Sequence, residues 1–238
     1  MGQLLDKLKE DIRFIEGLKA CINCGTCAAI CPAVEFYDYQ PRYIINILQS
    51  KDDAKIEELL KSDFIWYCGE CMSCKTRCPR GNVPGLIITA LRSLSQDLGY
   101  FTESKKGRQQ LAIKRTVGRW LLEKGYCLYA EEIDYANHPE QGPVWEWELK
   151  NLDAVMQRLG ANYKGEGSGI LRKIPQSALD ELKKIFDVTG CTERFEKIEQ
   201  YSSLKANEIG LQLDDTMNNE YIKQIYNTNN QKLHSKKV

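Results

Sequence analysis

The stretch "CINCGTCAAICP", residues 21–32, recurs later in the chain as "CGECMSCKTRCP", residues 68–79. Both copies have the spacing C-x2-C-x2-C-x3-C, and a proline follows the fourth cysteine of each. Three cysteines at two-residue intervals lie on one tight loop, whereas the longer step and the proline turn the chain away. Each loop is therefore predicted to hold three thiolates on one centre and to direct its fourth cysteine elsewhere.

This spacing is the signature of bacterial two-cluster ferredoxins, in which the fourth cysteine of each run binds the other cluster. Applied to this chain, the rule predicts two [4Fe-4S] clusters with exchanged ligands. The first set is Cys21, Cys24, Cys27 and Cys78, and the second is Cys68, Cys71, Cys74 and Cys31. Because neither set lacks a ligand, we expect outer-sphere electron transfer rather than catalysis at an open iron, and we predict no catalytic residue.

Two other interpretations of the cysteines are weaker. A tetrahedral zinc site takes two sulfurs from each of two knuckles and leaves the third cysteine of each run without a role. A disulfide framework requires an oxidising compartment, but residues 1–20 carry charges throughout and contain no signal-peptide core. We therefore expect reduced thiols and a cytoplasmic protein. The solitary Cys127 and Cys191 are expected to be small buried residues.

The composition restricts the function further. The 238 residues include 33 Lys and Arg against 33 Asp and Glu, so no basic field favours nucleic acid as a partner. No apolar run approaches the roughly 18 residues that a membrane span needs, so no direct membrane span is predicted. The chain has only two histidines, His138 and His234, and both are expected to face solvent.

Helical patterns cover much of the chain, and strand alternation is scarce, so the predicted fold class is mostly α. An apolar stripe over residues 4–18, which includes Ile12 and Ile15, predicts one amphipathic helix before the first motif. Between the motifs, Pro41 predicts a helix start, and an Asp cap precedes a second helix in residues 52–62.

The segment after the second motif has start and stop signals of its own. Asn82 is predicted to cap a helix that has Pro84 in its first turn and ends near Gly99. Polar residues follow, and we place a domain boundary there, between residues 1–100 and a helical extension of residues 101–238. Helices are predicted in the extension at residues 145–159, 178–186 (with Ser177 and Asp180 as a capping pair), 192–209 and 218–226.

Residues between the cysteines also suit a cluster. Gly25 and Gly69 are expected to let the backbone approach sulfur closely, because glycine has no side chain. Ile22, Ile30 and the two alanines of the first motif are expected to exclude water from the site.

The order of these features resembles a helical two-cluster ferredoxin module. More narrowly, the Pro-Arg pair at residues 41–42 and the aromatic "IWYC", residues 65–68, are similar to the C subunit of heterodisulfide reductase. The resemblance covers about residues 10–100. It implies an α-helical ferredoxin that relays electrons between a flavin-containing A-type subunit and a B-type subunit with Cys-Cys-Gly (CCG) motifs. This sequence has no CCG motif and no flavin fingerprint, so it is not expected to be catalytic by itself.

The C-terminal half is longer than the resemblance leads us to expect for methanogen subunits. This favours a heterodisulfide reductase-like complex of the sulfur-oxidation type or another bacterial complex of this kind, with the extension packing on partner subunits. The alternative is an iron-sulfur subunit of another dehydrogenase or quinone-linked respiratory complex, although such proteins commonly carry an additional [2Fe-2S] domain or a membrane partner. A third possibility is that the clusters are structural or sensory in a binding protein.

Overall fold

The computed structural model describes residues 2–134 and 143–227. In these two ranges the regular secondary structure is helical and no strand occurs, which confirms the mostly α prediction. The chain divides into two compact units, residues 1–110 and residues 111–238. The predictions for His138 and His234 concern positions outside the described residues.

Helices of the first unit surround an apolar core. They are α1 (Gln3–Glu10), α2 (Ile12–Gly17), α3 (Thr26–Ala29), α4 (Pro41–Ser50), α5 (Asp53–Lys61), α6 (Ser73–Arg77) and α7 (Pro84–Asp97). Ile44 on α4, Ile56 on α5 and Leu91 on α7 have no exposed surface. Helix α7 packs against α2, α4 and α5, so the core holds together the segments that enter and leave both cysteine motifs.

The predicted helix over residues 4–18 is wrong as a single element. Asp11 interrupts it with extended backbone, and its carboxylate accepts a hydrogen bond from the backbone N–H of Arg13, which starts α2. The break rotates the apolar stripe. Phe14 remains buried, but Ile12 and Ile15 are 64% and 49% exposed rather than part of the core.

Several helix boundaries agree with the sequence. Pro41 and Pro84 occupy the first turns of α4 and α7. The carboxylate of Asp52 caps α5 by accepting hydrogen bonds from the backbone N–H groups of Ala54 and Lys55. These predictions are confirmed because each depends on local backbone chemistry alone.

Asn82 does not cap α7, so that prediction is wrong. Val83 is the residue before the helix, and no side chain caps it. The Asn82 side chain instead accepts a hydrogen bond from the backbone N–H of Lys19 at 2.7 Å. Asn82 therefore binds the distant Lys19 backbone instead of the first turn of α7.

The second unit contains helices that the sequence only partly predicted. The first is α8 (Gln109–Ile113), which begins two residues before this unit. The others are a π-helical turn (Lys114–Gly118), α9 (Arg119–Lys124), α10 (Pro143–Lys150), α11 (Leu152–Arg158), α12 (Gln176–Val188), α13 (Cys191–Glu208) and α14 (Glu220–Asn227). The stretch from Gln109 to Lys124 was not predicted to be helical. The predicted helix over residues 145–159 is interrupted at Asn151.

At the start of α12 the residue pairing differs from the prediction. No side chain caps the helix, and the amide of Gln176 donates to the Asp180 carboxylate at 2.9 Å. The predicted capping pair of Ser177 and Asp180 is therefore wrong. Helix α12 packs against α13 and α9. None of the helices in the described ranges is long and apolar enough to cross a membrane.

Candidate metal centres

The two cysteine loops have the same local structure. In the first, the backbone N–H of Asn23 donates to the Cys21 sulfur at 3.4 Å; in the second, the backbone N–H of Glu70 donates to the Cys68 sulfur at 3.4 Å. Asn23 and Glu70 both have positive φ, of 57° and 52°. Such left-handed residues turn successive amides inward and form concave anion sites of the kind that bind iron-sulfur clusters.

A second left-handed residue opens the short helix in each loop. It is Gly25 before α3, with φ 81°, and Met72 before α6, with φ 57°. Gly25 has the left-handed conformation that glycine favours, whereas Gly69 lacks positive φ. The close approach of the backbone at both glycines to a cluster sulfur stays a prediction. Met72, rather than Gly69, is the structural equivalent of Gly25.

The second cysteine of each motif has a matching hydroxyl partner. The Cys24 sulfur lies 3.3 Å from the Thr26 hydroxyl, and the Cys71 sulfur lies 3.4 Å from the Ser73 hydroxyl. Hydrogen bonding from these side chains lowers the pKa of both thiols. Both cysteines are exposed, so these two positions favour the thiolate that iron requires.

Other cysteines are more enclosed and lie where the loops meet. Burial, together with the nearby charges of Cys74 and Cys21, raises the pKa of Cys27 to about 11. Helices α3 and α6, which carry Cys27 and Cys74, pack against each other. The two loops are therefore side by side.

Cys31 approaches the loop that follows it in the chain. Burial raises the pKa of its thiol, and the charges of Cys68 and Cys71 act in the same direction. The fourth cysteine of the first motif is thus close to the leading cysteines of the second motif.

Asn82 brings the fourth cysteine of the second motif towards the first. The Cys78 sulfur accepts hydrogen bonds from the Asn82 backbone N–H at 3.3 Å and from its side-chain amide at 3.7 Å. The side-chain oxygen of Asn82 also accepts a hydrogen bond from the backbone N–H of Lys19, which lies two residues before Cys21. Next to it, the Val83 N–H donates to the Gly17 carbonyl at 2.8 Å. The backbone after Cys78 is therefore joined to the segment that enters the first motif.

Arg92 is a residue of the site that sequence reasoning missed. Its guanidinium donates to the carbonyls of Ile65 at 2.8 Å and Cys68 at 2.6 Å, pairs with Glu70, and lies 5.4 Å from the Trp66 ring centre. The only signal in the sequence is an arginine among apolar residues of α7. Arg92 fixes the start of the second loop.

Some predicted features of the surroundings are wrong. Ile22 and Ile30 are 59% and 40% exposed, so neither shields the first loop within this chain. Cys127 is exposed and Cys191 is half-buried, so neither is the buried residue that was expected. The Thr189 hydroxyl lies 3.4 Å from the Cys191 sulfur.

The donor set suits [4Fe-4S] clusters. All eight motif cysteines are free thiols, and thiolates are the ligands that iron-sulfur clusters use. Among the described residues, no three cysteine, histidine or carboxylate side chains converge as a single metal ion would require. A cubane presents four separate irons, so its ligands need not converge. The inward amides of Asn23 and Glu70 also match the negative charge of such a cluster.

Comparison with known proteins also assigns iron-sulfur clusters of the [4Fe-4S] type to this chain. The family model of the 4Fe-4S dicluster domain matches residues 17–82. The C subunit of a ferredoxin:CoB-CoM heterodisulfide reductase from Methanosarcina acetivorans is 30% identical over 214 residues, which cover 87% of this chain and 76% of the relative. The second iron-sulfur C subunit of the CoB-CoM heterodisulfide reductase of Methanocaldococcus jannaschii is 32% identical over 154 residues, 62% of this chain and 74% of the relative.

A third relative is similar over a comparable length. It is the C2 subunit of the H(2)/formate:CoB-CoM heterodisulfide,ferredoxin reductase of Methanococcus maripaludis, 34% identical over 156 residues, 63% of this chain and 77% of the relative. The alignment with the Methanosarcina protein includes much of the chain beyond residue 100. The expected difference in the C-terminal half is therefore wrong for that methanogen relative. The chain binds two [4Fe-4S] clusters.

Proposed function

The chain belongs to the family of heterodisulfide reductase C subunits, and from this membership we propose that it relays electrons between a flavin-containing A-type subunit and a B-type subunit with CCG motifs. Its general role is that of an iron-sulfur subunit for electron transfer. The relatives named above are subunits of reductases for the CoB-CoM heterodisulfide. In our proposal, the disulfide chemistry takes place on the B-type partner.

The ligands in this proposal are the exchanged sets. One cluster is held by Cys21, Cys24, Cys27 and Cys78, and the other by Cys68, Cys71, Cys74 and Cys31. The observation that supports the exchange most directly is the double role of Asn82, which binds the Cys78 sulfur and the Lys19 backbone. The effect of Cys68 and Cys71 on the Cys31 thiol supports the reciprocal half.

When bound, each cluster supplies a one-electron redox couple. The residues of the chain determine where the couples lie and how they are stabilised. The N–H groups of Asn23 and Glu70 donate to ligand sulfurs, and such hydrogen bonds favour the more negatively charged state. The packing of α3 against α6 keeps the loops adjacent, which keeps the path for electrons short.

We also propose that residues 1–100 form the cluster-binding domain and that residues 101–238 form an extension that packs on partner subunits. Large apolar side chains are exposed on the described surface of the extension, and such side chains mark a protein interface where they lie together in one patch. They are Leu128, Val144, Trp147, Leu159, Ile170, Val188 and Leu204, each more than half exposed.

Purification of the tagged chain from its source cells under anaerobic conditions tests the proposal. We expect a flavoprotein and a CCG-motif protein to co-purify with it in a constant ratio. Recovery of neither protein contradicts the proposed complex. In the isolated complex, reductant supplied to the flavin should reduce the B-type subunit only when the chain carries both clusters.

A matched pair of variants separates binding from electron transfer. Cys24→Ala removes a proposed ligand of the first cluster, whereas Cys127→Ala removes an exposed thiol outside both motifs. We expect both variants to retain the partner subunits and only Cys24→Ala to abolish electron transfer through the chain. Unchanged transfer in Cys24→Ala contradicts the relay.

A further inference from the structure

Tyr39 has a buried hydroxyl without a hydrogen bond. The residue is 1% exposed, and its hydroxyl oxygen has no hydrogen-bond partner among the described residues. Leaving a buried hydroxyl unpaired is unfavourable, so a tyrosine at such a place points to a partner that is bound in the functional protein. Phenylalanine has the same ring and avoids this cost.

The aromatic neighbours hold the Tyr39 ring in one place. Its centre lies 5.0 Å from that of Phe64 and 6.2 Å from that of Tyr67, which meets it edge-on. Tyr67 is in turn stacked on Tyr37 at 4.2 Å. The ring is thus packed on several sides, and the hydroxyl has little freedom to find a partner elsewhere.

The hydroxyl is close to sulfurs of the second proposed ligand set. Cys31 and Cys68 pack against the buried core that contains Tyr39, and the charges of their sulfurs act on the phenol. The Cys68 sulfur lies near enough to act on the phenol but does not meet the geometry of a hydrogen bond. A phenol is protonated at neutral pH, so Tyr39 is available as a hydrogen-bond donor to sulfur.

We propose that Tyr39 donates a hydrogen bond to the Cys68 sulfur when the second cluster is bound and thereby raises the reduction potential of that cluster alone. Reduction adds negative charge that the ligand sulfurs share, and a hydrogen-bond donor stabilises the more charged state. The inference rests on the proposed assignment of Cys68 and Cys31 to one cluster. It adds a tuning residue outside the cysteine motifs.

The other groups around Cys68 do not replace this donor. The Glu70 N–H donates to the same sulfur, but the Asn23 N–H does the same for Cys21 in the first loop, so this contact is common to both clusters. Arg92 donates to the Cys68 carbonyl rather than to its sulfur, and Glu70 partly neutralises its charge.

The first loop has no equivalent of the tyrosine. Tyr39 follows the fourth cysteine of the first motif, Cys31, by eight residues. The residue eight positions after Cys78 is Leu86, whose side chain has no hydrogen-bond donor. The sulfur of Cys78 instead accepts hydrogen bonds from the backbone N–H and the side-chain amide of Asn82. Removing the Tyr39 hydroxyl should therefore change one cluster and leave the other as it is.

Tyr39→Phe tests the proposal, because it removes one oxygen and keeps the ring. Both clusters are titrated with a reductant while their signals are followed by electron paramagnetic resonance. We expect the equilibrium constant for reduction of the second cluster to fall about tenfold, which is about 59 mV for one electron. The first cluster should not shift. Cys24→Ala, which removes a ligand of the first cluster, identifies the signal of the second.

Tyr67→Phe is the matched control, since it removes a hydroxyl from a neighbouring ring of the same aromatic group. It should leave both potentials unchanged. A second measurement is independent of the potentials. Electron-nuclear double resonance should detect an exchangeable proton coupled to the second cluster, and this proton should be absent in Tyr39→Phe.

The outcomes separate this inference from the proposed function. Full iron content with no shift in either cluster overturns the role of Tyr39 and leaves the relay intact. A shift of the first cluster alone overturns both the role of Tyr39 and the assignment of Cys68. An equal shift of both clusters indicates a general structural effect and also overturns the inference.

Discussion

The side-chain oxygen of Asn82 accepts a hydrogen bond from the backbone N–H of Lys19 at 2.7 Å, and Asn82 is only 2% exposed. Its backbone N–H donates to the Cys78 sulfur at 3.3 Å. One buried residue therefore joins the end of the second cysteine motif to the chain that enters the first. This contact is the structural basis of the ligand exchange that we propose.

Asn82→Ala should destabilise the first unit and loosen the first cluster. The substitution leaves the Lys19 N–H without its acceptor, so we expect the free energy of unfolding to fall by about 1–3 kcal/mol. Iron should be lost from the first cluster faster than from the second when chelator is added. Chemical unfolding and the decay of each paramagnetic signal measure the two effects.

Asn82→Asp is the matched control for this substitution. The carboxylate keeps an acceptor for Lys19 but loses the side-chain amide that donates to Cys78 and adds a negative charge near that sulfur. We expect it to retain more stability than Asn82→Ala and to lower the potential of the first cluster. Equal loss of iron from both clusters in either variant contradicts the role of Asn82.

Arg92→Lys should loosen the second loop. Lysine has no planar fork and cannot donate to the Ile65 and Cys68 carbonyls and to Glu70 at once. We expect about 1–3 kcal/mol lower stability and faster loss of the second cluster to a chelator.

Arg42→Lys is the control for Arg92, because it keeps the charge beside Cys24 and removes only one hydrogen bond seen among the described residues, of 3.5 Å to Gln40. It should lose iron at the wild-type rate. If Arg92→Lys releases iron from both clusters equally, Arg92 has no specific role in the second loop.

Glu199→Gln should destabilise the second unit at neutral pH. The Glu199 carboxylate accepts hydrogen bonds from Lys114 at 2.7 Å and from Arg115, whose side chain is 9% exposed. Burial opposes ionisation of Glu199, but these hydrogen bonds outweigh it and lower its pKa. Removing the charge takes away the ionic partner of Arg115, which keeps only the carbonyls of Asp214 and Thr216 and the uncharged amide oxygen, and we expect a loss of about 1–3 kcal/mol.

The pH dependence has a definite sign. Because the folded protein lowers the pKa of Glu199, the stabilisation is present above the usual value of 4.5 and disappears as pH falls through the lowered value. Amide hydrogen exchange in α13 should differ between Glu199→Gln and wild type at pH 7 and converge in more acidic solution. Glu131→Gln, at an exposed pair with Lys164, is the control and should have no measurable effect. A constant difference across the pH range contradicts this account.

Local signals were enough to predict the helix starts at Pro41 and Pro84 and the cap at Asp52, because each depends on neighbouring backbone groups. The repeated spacing of the cysteines was enough to predict the cofactors. The residues next to Asn82 predicted that it caps a helix. In the folded chain its side chain instead accepts a hydrogen bond from Lys19, which is far away in sequence. The break at Asp11 was also missed, because an apolar stripe does not reveal an interruption.

Long-range packing explains the other missed features. The helical stretch from Gln109 to Lys124 contains polar residues whose partners are distant in sequence and come close only in the folded protein, such as Arg115 with Glu199. Ile22 and Ile30 resemble core residues in composition, but the loop turns them outward. The roles of Tyr39 and Arg92 were not predicted because both lie outside the motifs and reach Cys68 only in the folded protein.

The exchange of ligands is tested most directly by the iron content of two double variants. If Cys78 binds the first cluster, Cys24→Ala with Cys78→Ala removes two ligands of the same cluster and should leave about four irons per chain. Cys71→Ala with Cys78→Ala then removes one ligand from each cluster and should destabilise both. The reverse result, with about four irons retained only when Cys71 and Cys78 are replaced together, contradicts the exchange.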